Sequence, residues 1–224
     1  DKYATDVLYN SAVLFGRDGK IAGHYNKLHL VPFGEYVPFK RVLSFVERFA
    51  PSPIGDFRGG EEMFVLGFFI ERRTATKDAT TRFLKKARFS CLICFEDIFP
   101  ELARQAIRNG ASFLVNMTND AWFKYSSAPY QHAQNSVFRA IENRAYVVRA
   151  ANTGYSCFID QKGEIVDAVG VPGNNIFVDG YRSHDVTLSR VRTFYNIYGD
   201  MFVFICVCIV GSYLVYILSI RRRE

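Results

Sequence analysis

Two stretches hold side chains that could do chemistry together. In SCLICFEDIFPE, residues 90–101, an apolar run carrying Cys91 and Cys94 ends abruptly in Glu96, Asp97 and a proline. In NKLHLVPFGEYVP, residues 26–38, Lys27 and Glu35 stand in a rigid, largely apolar setting. A cysteine with a lysine and a carboxylate is the material of covalent catalysis. The thiolate attacks a carbonyl, the ammonium steadies thiolate and oxyanion, and the carboxylate handles protons. Cys94 is better placed for this than Cys91, because it sits where a strand stops and the chain turns toward a helix. Backbone N–H groups left free at such an elbow favour a thiolate or an oxyanion. Taken alone, Cys94 fits a packed thiol better than a nucleophile, and Lys27 equally fits a surface lysine at a strand end. Cys91 and Cys94 are three apart and point to opposite faces of a strand. That disfavours a disulfide or a shared metal, and no second close pair completes a zinc site. His132, early in a helical pattern, reads as a packing or surface residue rather than a base. Asn116-Met117-Thr118 matches a glycosylation acceptor, but it falls in a buried-strand pattern where the match means nothing.

The elements that must position these residues read as follows. Residues 7–15 and 20–26 form a hairpin through Gly16-Arg17-Asp18-Gly19. YSCFID and EIVDAV form a second, through Gln161-Lys162-Gly163. LHLVPFGEYVPF is too broken for regular structure and too apolar for a free loop, so it reads as an ordered loop packed on the domain. Residues 41–50 suggest a short helix ended by prolines. Residues 71–87, ERRTATKDATTRFLKKA, read as a solvated excursion. The wider 55–87 segment is a candidate lid through Phe64, Phe68, Phe69 and Ile70, or else these pack beneath it. RFSCLICF, ASFLVNMT and AYVVRAAN read as buried strands. PELARQAIRNG reads as a helix with Pro100 near its start and Gly110 at its end. QHAQNSVFRAIENR reads as a helix with Val137, Ala140 and Ile141 on one face. The alternation predicts an α/β, or α+β layered, domain.

With 224 residues, 49% of them apolar and 16% aromatic, a sizeable core can be buried. The net charge of +6 includes Arg221, Arg222 and Arg223 at the extreme C-terminus. No basic stripe interleaved with aromatics appears in the body, so no nucleic-acid partner is predicted. Five cysteines, two of them in the C-terminal apolar run, give no closed disulfide framework. The chain opens without Met or an apolar leader and almost at once in a strand-like run, which reads as a piece beginning inside a domain. MFVFICVCIVGSYLVYILSI, residues 201–220, is uncharged and matches a bilayer core of about 30 Å. The reading is a domain over 1–199, with a linker from about 181, a transmembrane helix over 200–220 and a basic tail over 221–224. The positive-inside rule makes that tail cytoplasmic and places the domain on the outer side.

YNKLHLVPFGEYVP, LICFEDIFPELAR and FLVNMTNDAWF, in this order, resemble the nitrilase superfamily, which uses a Glu-Lys-Cys triad. Together with the terminal apolar helix they are most similar to its bacterial apolipoprotein N-acyltransferase family. The resemblance covers nearly everything from residue 7 to 220 except 55–87. It implies an αββα sandwich with Cys94 as nucleophile, Lys27 as the triad lysine and Glu35 as a further carboxylate near the site. Glu96 matches an important acidic position. Phe95 stands where some members carry Tyr, so the ring is kept and the hydroxyl lost. Trp122, in the Asn119–Phe123 motif, would line the mouth of the site or else pack as a core Trp, and Asn119 would support it. The triad glutamate lies upstream of the lysine in this family. Asp1, Asp6 and Asp18 sit in no matching motif, so the chain is expected to be incompetent alone. The implied reaction moves an acyl chain from a membrane phospholipid, through a Cys thioester, to the α-amine of a diacylglyceryl-cysteine apolipoprotein. No cofactor is implied, and the setting is the bacterial inner membrane. A membrane-tethered amide or nitrile hydrolase shares the same triad, and a degenerate scaffold is the non-catalytic alternative.

Overall fold

The computed structural model describes residues 7–39, 56–76, 79–171, 173–189 and 191–221, with side chains everywhere in them except at 71–85. The helix predicted over 41–50 lies outside the described residues. A two-stranded antiparallel sheet comes first, β1 (Ser11–Phe15) with β2 (Ile21–Asn26). Their turn needs Gly19, whose φ of 75° is left-handed. A six-stranded mixed sheet follows in the order β3 (Leu66–Thr76), β4 (Ala79–Ile93), β5 (Phe113–Asn119), β6 (Tyr146–Asn152), β7 (Cys157–Ile159) and β8 (Ile165–Ala168).

The central strands β4, β5 and β6 are parallel. They are joined by α1 (Pro100–Arg108) and α2 (Ala128–Asn143). Two right-handed crossovers stepping the same way along a sheet put both helices on one face, and α1 indeed packs against α2. The strands are near-continuous apolar runs, as parallel strands must be. Leu92, Leu114 and Val147 are fully buried beside Leu102, Ala103 and Ala106 of α1. β1 packs against β4, and Ala12 and Tyr25 join the same core. The architecture is the predicted α/β one. Of the αββα layering, the described residues supply one helical layer, the six-stranded sheet and the β1–β2 pair.

The polar run 71–87, expected as an excursion, is a regular paired hairpin. β3 and β4 pair antiparallel without a break from Leu66↔Phe89 to Thr76↔Ala79. Only Phe89–Ile93 of β4 pair with β5, so the rest of the hairpin reaches past the sheet as an arm. Threonines 74, 76, 80 and 81 are β-branched and favour the extended chain, whatever their polarity suggests. At its base Phe64, Phe68, Phe69 and Ile70 are exposed rather than packed beneath it.

Residues 181–199, expected to link the domain to the apolar helix, also bond to the domain. Ser189 N donates to Ser112 O, and the short helix α3 (Phe194–Tyr198) is fastened by Arg104, whose guanidinium donates to the carbonyls of Tyr195, Asn196 and Ile197. Asn196 is buried and donates to Asn143 Oδ1. The reason is local. The last carbonyls of a helix have no intrahelical partner, and a guanidinium satisfies them. The final helix, α4 (Met201–Arg221), follows directly, is long and apolar enough to cross a membrane, and has no residue buried against the domain.

Candidate active site

Cys94 opens a 3-10 turn, Cys94–Ile98, at the C-terminal end of β4. Its φ is 54°, a left-handed value that non-glycine residues rarely adopt. Glu96 in the same turn is fully buried. Its Oε2 accepts from Ile93 N at 2.7 Å. Its Oε1 accepts from Leu28 N at 2.7 Å, Tyr25 Oη at 2.9 Å and His29 N at 3.1 Å. Burial pushes the Glu96 pKa up, opposed by those four bonds. All four partners are donors, which suits a carboxylate. Glu96 therefore clamps the chain on either side of Lys27 to the Cys94 turn.

Lys27 is 1% exposed, which rules out the surface-lysine reading. Its Nζ donates to Glu35 Oε2 at 2.7 Å and lies 5.9 Å from the centre of the Phe95 ring. The ring face supplies some cation–π attraction at this range. Glu35 is held in turn: Oε2 also accepts from Val31 N at 2.7 Å, and Oε1 from Asn10 Nδ2 at 2.6 Å. Burial raises the Glu35 pKa, but the bonds from Lys27, Val31 and Asn10 outweigh it and the net shift is downward. Glu35 is thus an ionised partner that fixes Lys27, and a weak base. The loop that carries it is ordered as predicted, with Glu35 N donating to Val31 O and Phe33 N to Tyr36 O.

The structure also assembles residues that the sequence reading left aside. Asp97, Asp120, His132 and Arg149 form a closed, buried ring. Arg149 Nη1 donates to Asp97 Oδ2 at 2.8 Å and Nη2 to Asp120 Oδ2 at 3.1 Å. His132 Nε2 meets Asp97 Oδ1 at 3.0 Å and Nδ1 meets Asp120 Oδ1 at 2.8 Å. Both ring nitrogens face carboxylates, so both carry protons and the ring is cationic. Burial alone would lower the His132 pKa; the two hydrogen bonds and the charge of Asp97 outweigh it and raise it to about 9. Two carboxylates then balance two cations. Ser136 Oγ adds a bond to Asp97 Oδ2. The Cα of Gly154 lies so close to Asp120 that a side chain there would strike the carboxylate.

This ring joins the Cys94 turn to the C-terminal ends of β5 and β6 and to α2. It settles His132 as a packed residue, and Asn116, fully buried, is no glycosylation site. α2 faces inward through His132, Ser136, Arg139, Ala140 and Asn143, a mainly polar stripe at helical spacing. Of the predicted apolar face, Ala140 is buried and Val137 packs on the core, while Ile141 is 40% exposed. The signal available in the sequence was the lone arginine inside the apolar strand YVVRAA.

The His132 shift sets a pH window. The folded pKa of about 9 lies above the ordinary 6.5, so the stabilisation is complete below about 6.5 and is lost as pH rises through about 9. The melting temperature should fall across that window, and His132→Asn should flatten the fall. An unchanged slope in the variant would exclude His132 as the titrating group.

Asn119 and Trp122 lie at the same C-terminal sheet edge as Cys94, where open α/β sheets hold their ligands. Asn119 Oδ1 accepts from Ala121 N and Asn152 Nδ2, which braces the ends of β5 and β6. Trp122 is 71% exposed, so it is not a core tryptophan. Cys91 and Cys157 are buried, and burial pushes each thiol up to about 12. Neither is a nucleophile at neutral pH.

A family model described as carbon–nitrogen hydrolase matches residues 1–195. The apolipoprotein N-acyltransferase of Geobacter metallireducens is 42% identical over 215 residues, covering 96% of this chain and 37% of that protein. The protein of the same name from Chlorobaculum tepidum is 33% identical over 217 residues, covering 96% and 38%. The chain therefore spans under two fifths of the length of these relatives. Among solved structures, Nit3 of Saccharomyces cerevisiae, a member of branch 10 of the nitrilase superfamily, is 25% identical with a TM-score of 0.46, over 74% of this chain and 51% of that one. Since the family model matches all but the last segment, α4 included, the chain belongs to the carbon–nitrogen hydrolase family.

Proposed function

We propose that this domain transfers an acyl chain from a membrane phospholipid to the N-terminal α-amine of an apolipoprotein, with Cys94 as the covalent carrier. The observation that carries the reading is the buried Lys27 ammonium, held by Glu35, on a chain segment whose neighbours Leu28 and His29 are clamped by Glu96 to the Cys94 turn. Two matched proteins bear the apolipoprotein N-acyltransferase name, which supports these substrates. α4 supports a membrane setting, since both substrates would then share a surface with the enzyme and meet it at high effective concentration. The arginines after α4 favour a cytoplasmic C-terminus and a catalytic domain on the outer face of the inner membrane.

In the first step the Cys94 sulfur attacks the ester carbonyl carbon. The C–O bond breaks, the lysophospholipid leaves with the thiol proton, and a thioester remains. In the second, the α-amine attacks the thioester, the C–S bond breaks, and the amine proton returns to the thiolate. Lys27 and the Phe95 N–H stabilise the oxyanion in both steps. Glu35 and Glu96 are committed to the bonds described above, so we assign the proton acceptor to a glutamate outside the described residues. A hydrolase acting on a small amide or nitrile, favoured by the family description, would share this site and use water as acceptor.

The test is intact mass of the full-length protein after incubation with phospholipid, beside Cys94→Ser. A hydroxylamine-labile gain of one acyl chain, absent in the variant and discharged by a diacylglyceryl-cysteine peptide, is expected. Discharge to free fatty acid alone would indicate the hydrolase. No adduct, with unchanged activity in Cys94→Ser, would return Cys94 to the core. An adduct on the 224 residues alone would place the proton acceptor within them.

A further inference from the structure

We propose that Asn116 is a positioning residue: it holds the Cys94 carbonyl from one side and so aims the Phe95 N–H at the reacting carbonyl from the other. The inference rests on the acyl-transfer reading above and deepens it. Cys94 sits at φ 54°, and left-handed backbone is strained for an L-residue. Something must hold it there. Asn116 Nδ2 donates to the Cys94 carbonyl oxygen at 2.9 Å and to the Leu92 carbonyl at 3.3 Å.

The amide cannot be reversed. Its Oδ1 accepts from Arg149 Nη1 at 2.7 Å, and a flipped amide would turn its NH₂ toward the guanidinium. Leu92, Asn116 and Arg149 are neighbours in register across β4, β5 and β6, so the link from the charged ring to the nucleophile runs straight across the sheet.

The consequence follows from peptide geometry. No peptide bond here is cis, and in a planar trans unit the C=O and N–H point in opposite directions. Fixing the Cys94 carbonyl toward β5 sends the Phe95 N–H away from β5. That N–H lies in the first turn of a helix and has no intrahelical partner. The Lys27 ammonium lies 5.9 Å from the centre of the Phe95 ring, on the residue that carries this N–H. Asn116 thus sets the aim of the second donor without touching substrate.

The test uses Asn116→Ser in the full-length protein, which loses both carbonyl bonds and keeps a hydroxyl to face Arg149. Asn116→Asp, of the same shape, is the second variant. Three quantities are read: kcat and KM for acyl transfer, the iodoacetamide alkylation rate of Cys94, and the melting temperature. Alkylation builds no oxyanion, whereas acylation does. A fall in kcat of about 10²-fold, with KM and alkylation rate unchanged, is expected from the folded variants. A folded variant with normal kcat overturns the proposal. Equal losses of transfer and alkylation overturn it too, because Asn116 would then be placing the thiol. Failure of both variants to fold assigns Asn116 to stability alone. Should the unsubstituted protein form no acyl adduct, the transfer reading itself fails, whatever the variants do.

Discussion

Lys27→Met should slow acylation of Cys94 by about 10²–10³-fold, the usual cost of removing one oxyanion donor. Methionine matches much of the lysine stem and removes the charge. The stem is packed at 1% exposure, so its apolar contacts are largely kept. What changes is Glu35, which loses its ion pair and retains Val31 N and Asn10 Nδ2 as donors. Some stability is therefore lost together with activity, and a second substitution separates the two. In Lys27→Met/Glu35→Gln the unpaired carboxylate is gone, so the melting temperature should recover while the acylation rate should not. Single-turnover acylation followed by intact mass, with melting curves on the same samples, reads both. If the double variant regains acylation, Lys27 acts only by neutralising Glu35 and has no part in holding the oxyanion.

Arg149→Leu should destabilise the domain by about 3–5 kcal/mol, the cost of breaking a buried ion pair by removing one partner. Arg149 donates to Asp97, Asp120, Asn116 and Ser136 from a side chain with no exposure. Without it, two buried carboxylates face one imidazolium. A native domain has only about 5–15 kcal/mol in total, so the variant should melt about 10 °C lower or more. The loss should shrink when Asp97→Asn is added, because the surplus negative charge is then removed. A shift of a degree or two in Arg149→Leu would show that water or rearrangement satisfies the ring, and that it is not what ties the Cys94 turn to β5 and β6.

The parts whose physics is local were legible along the chain. The parallel strands were legible as apolar runs, α1 as a Pro-to-Gly span, the two hairpins by their glycine turns, and α4 as an uncharged run of bilayer length. Cys94 and Lys27 were legible as residue types in unusual settings, and the motif order added the family. The β3–β4 arm was not legible, since its pairing partner lies within the same polar stretch and cross-strand pairing leaves little trace in composition. Nor was the inner face of α2. A stripe of His132, Ser136, Arg139 and Asn143 reads as a solvated face unless a buried arginine and two carboxylates wait opposite it. That Glu96 clamps the chain beside Lys27 to the Cys94 turn, that Glu35 holds the Lys27 ammonium, and that Asn116 grips the Cys94 carbonyl emerges only in three dimensions. Each of these bonds joins groups that lie 8, 22 or 68 residues apart in the chain. Their strength comes from burial, which exists only after the sheets and helices have closed over them.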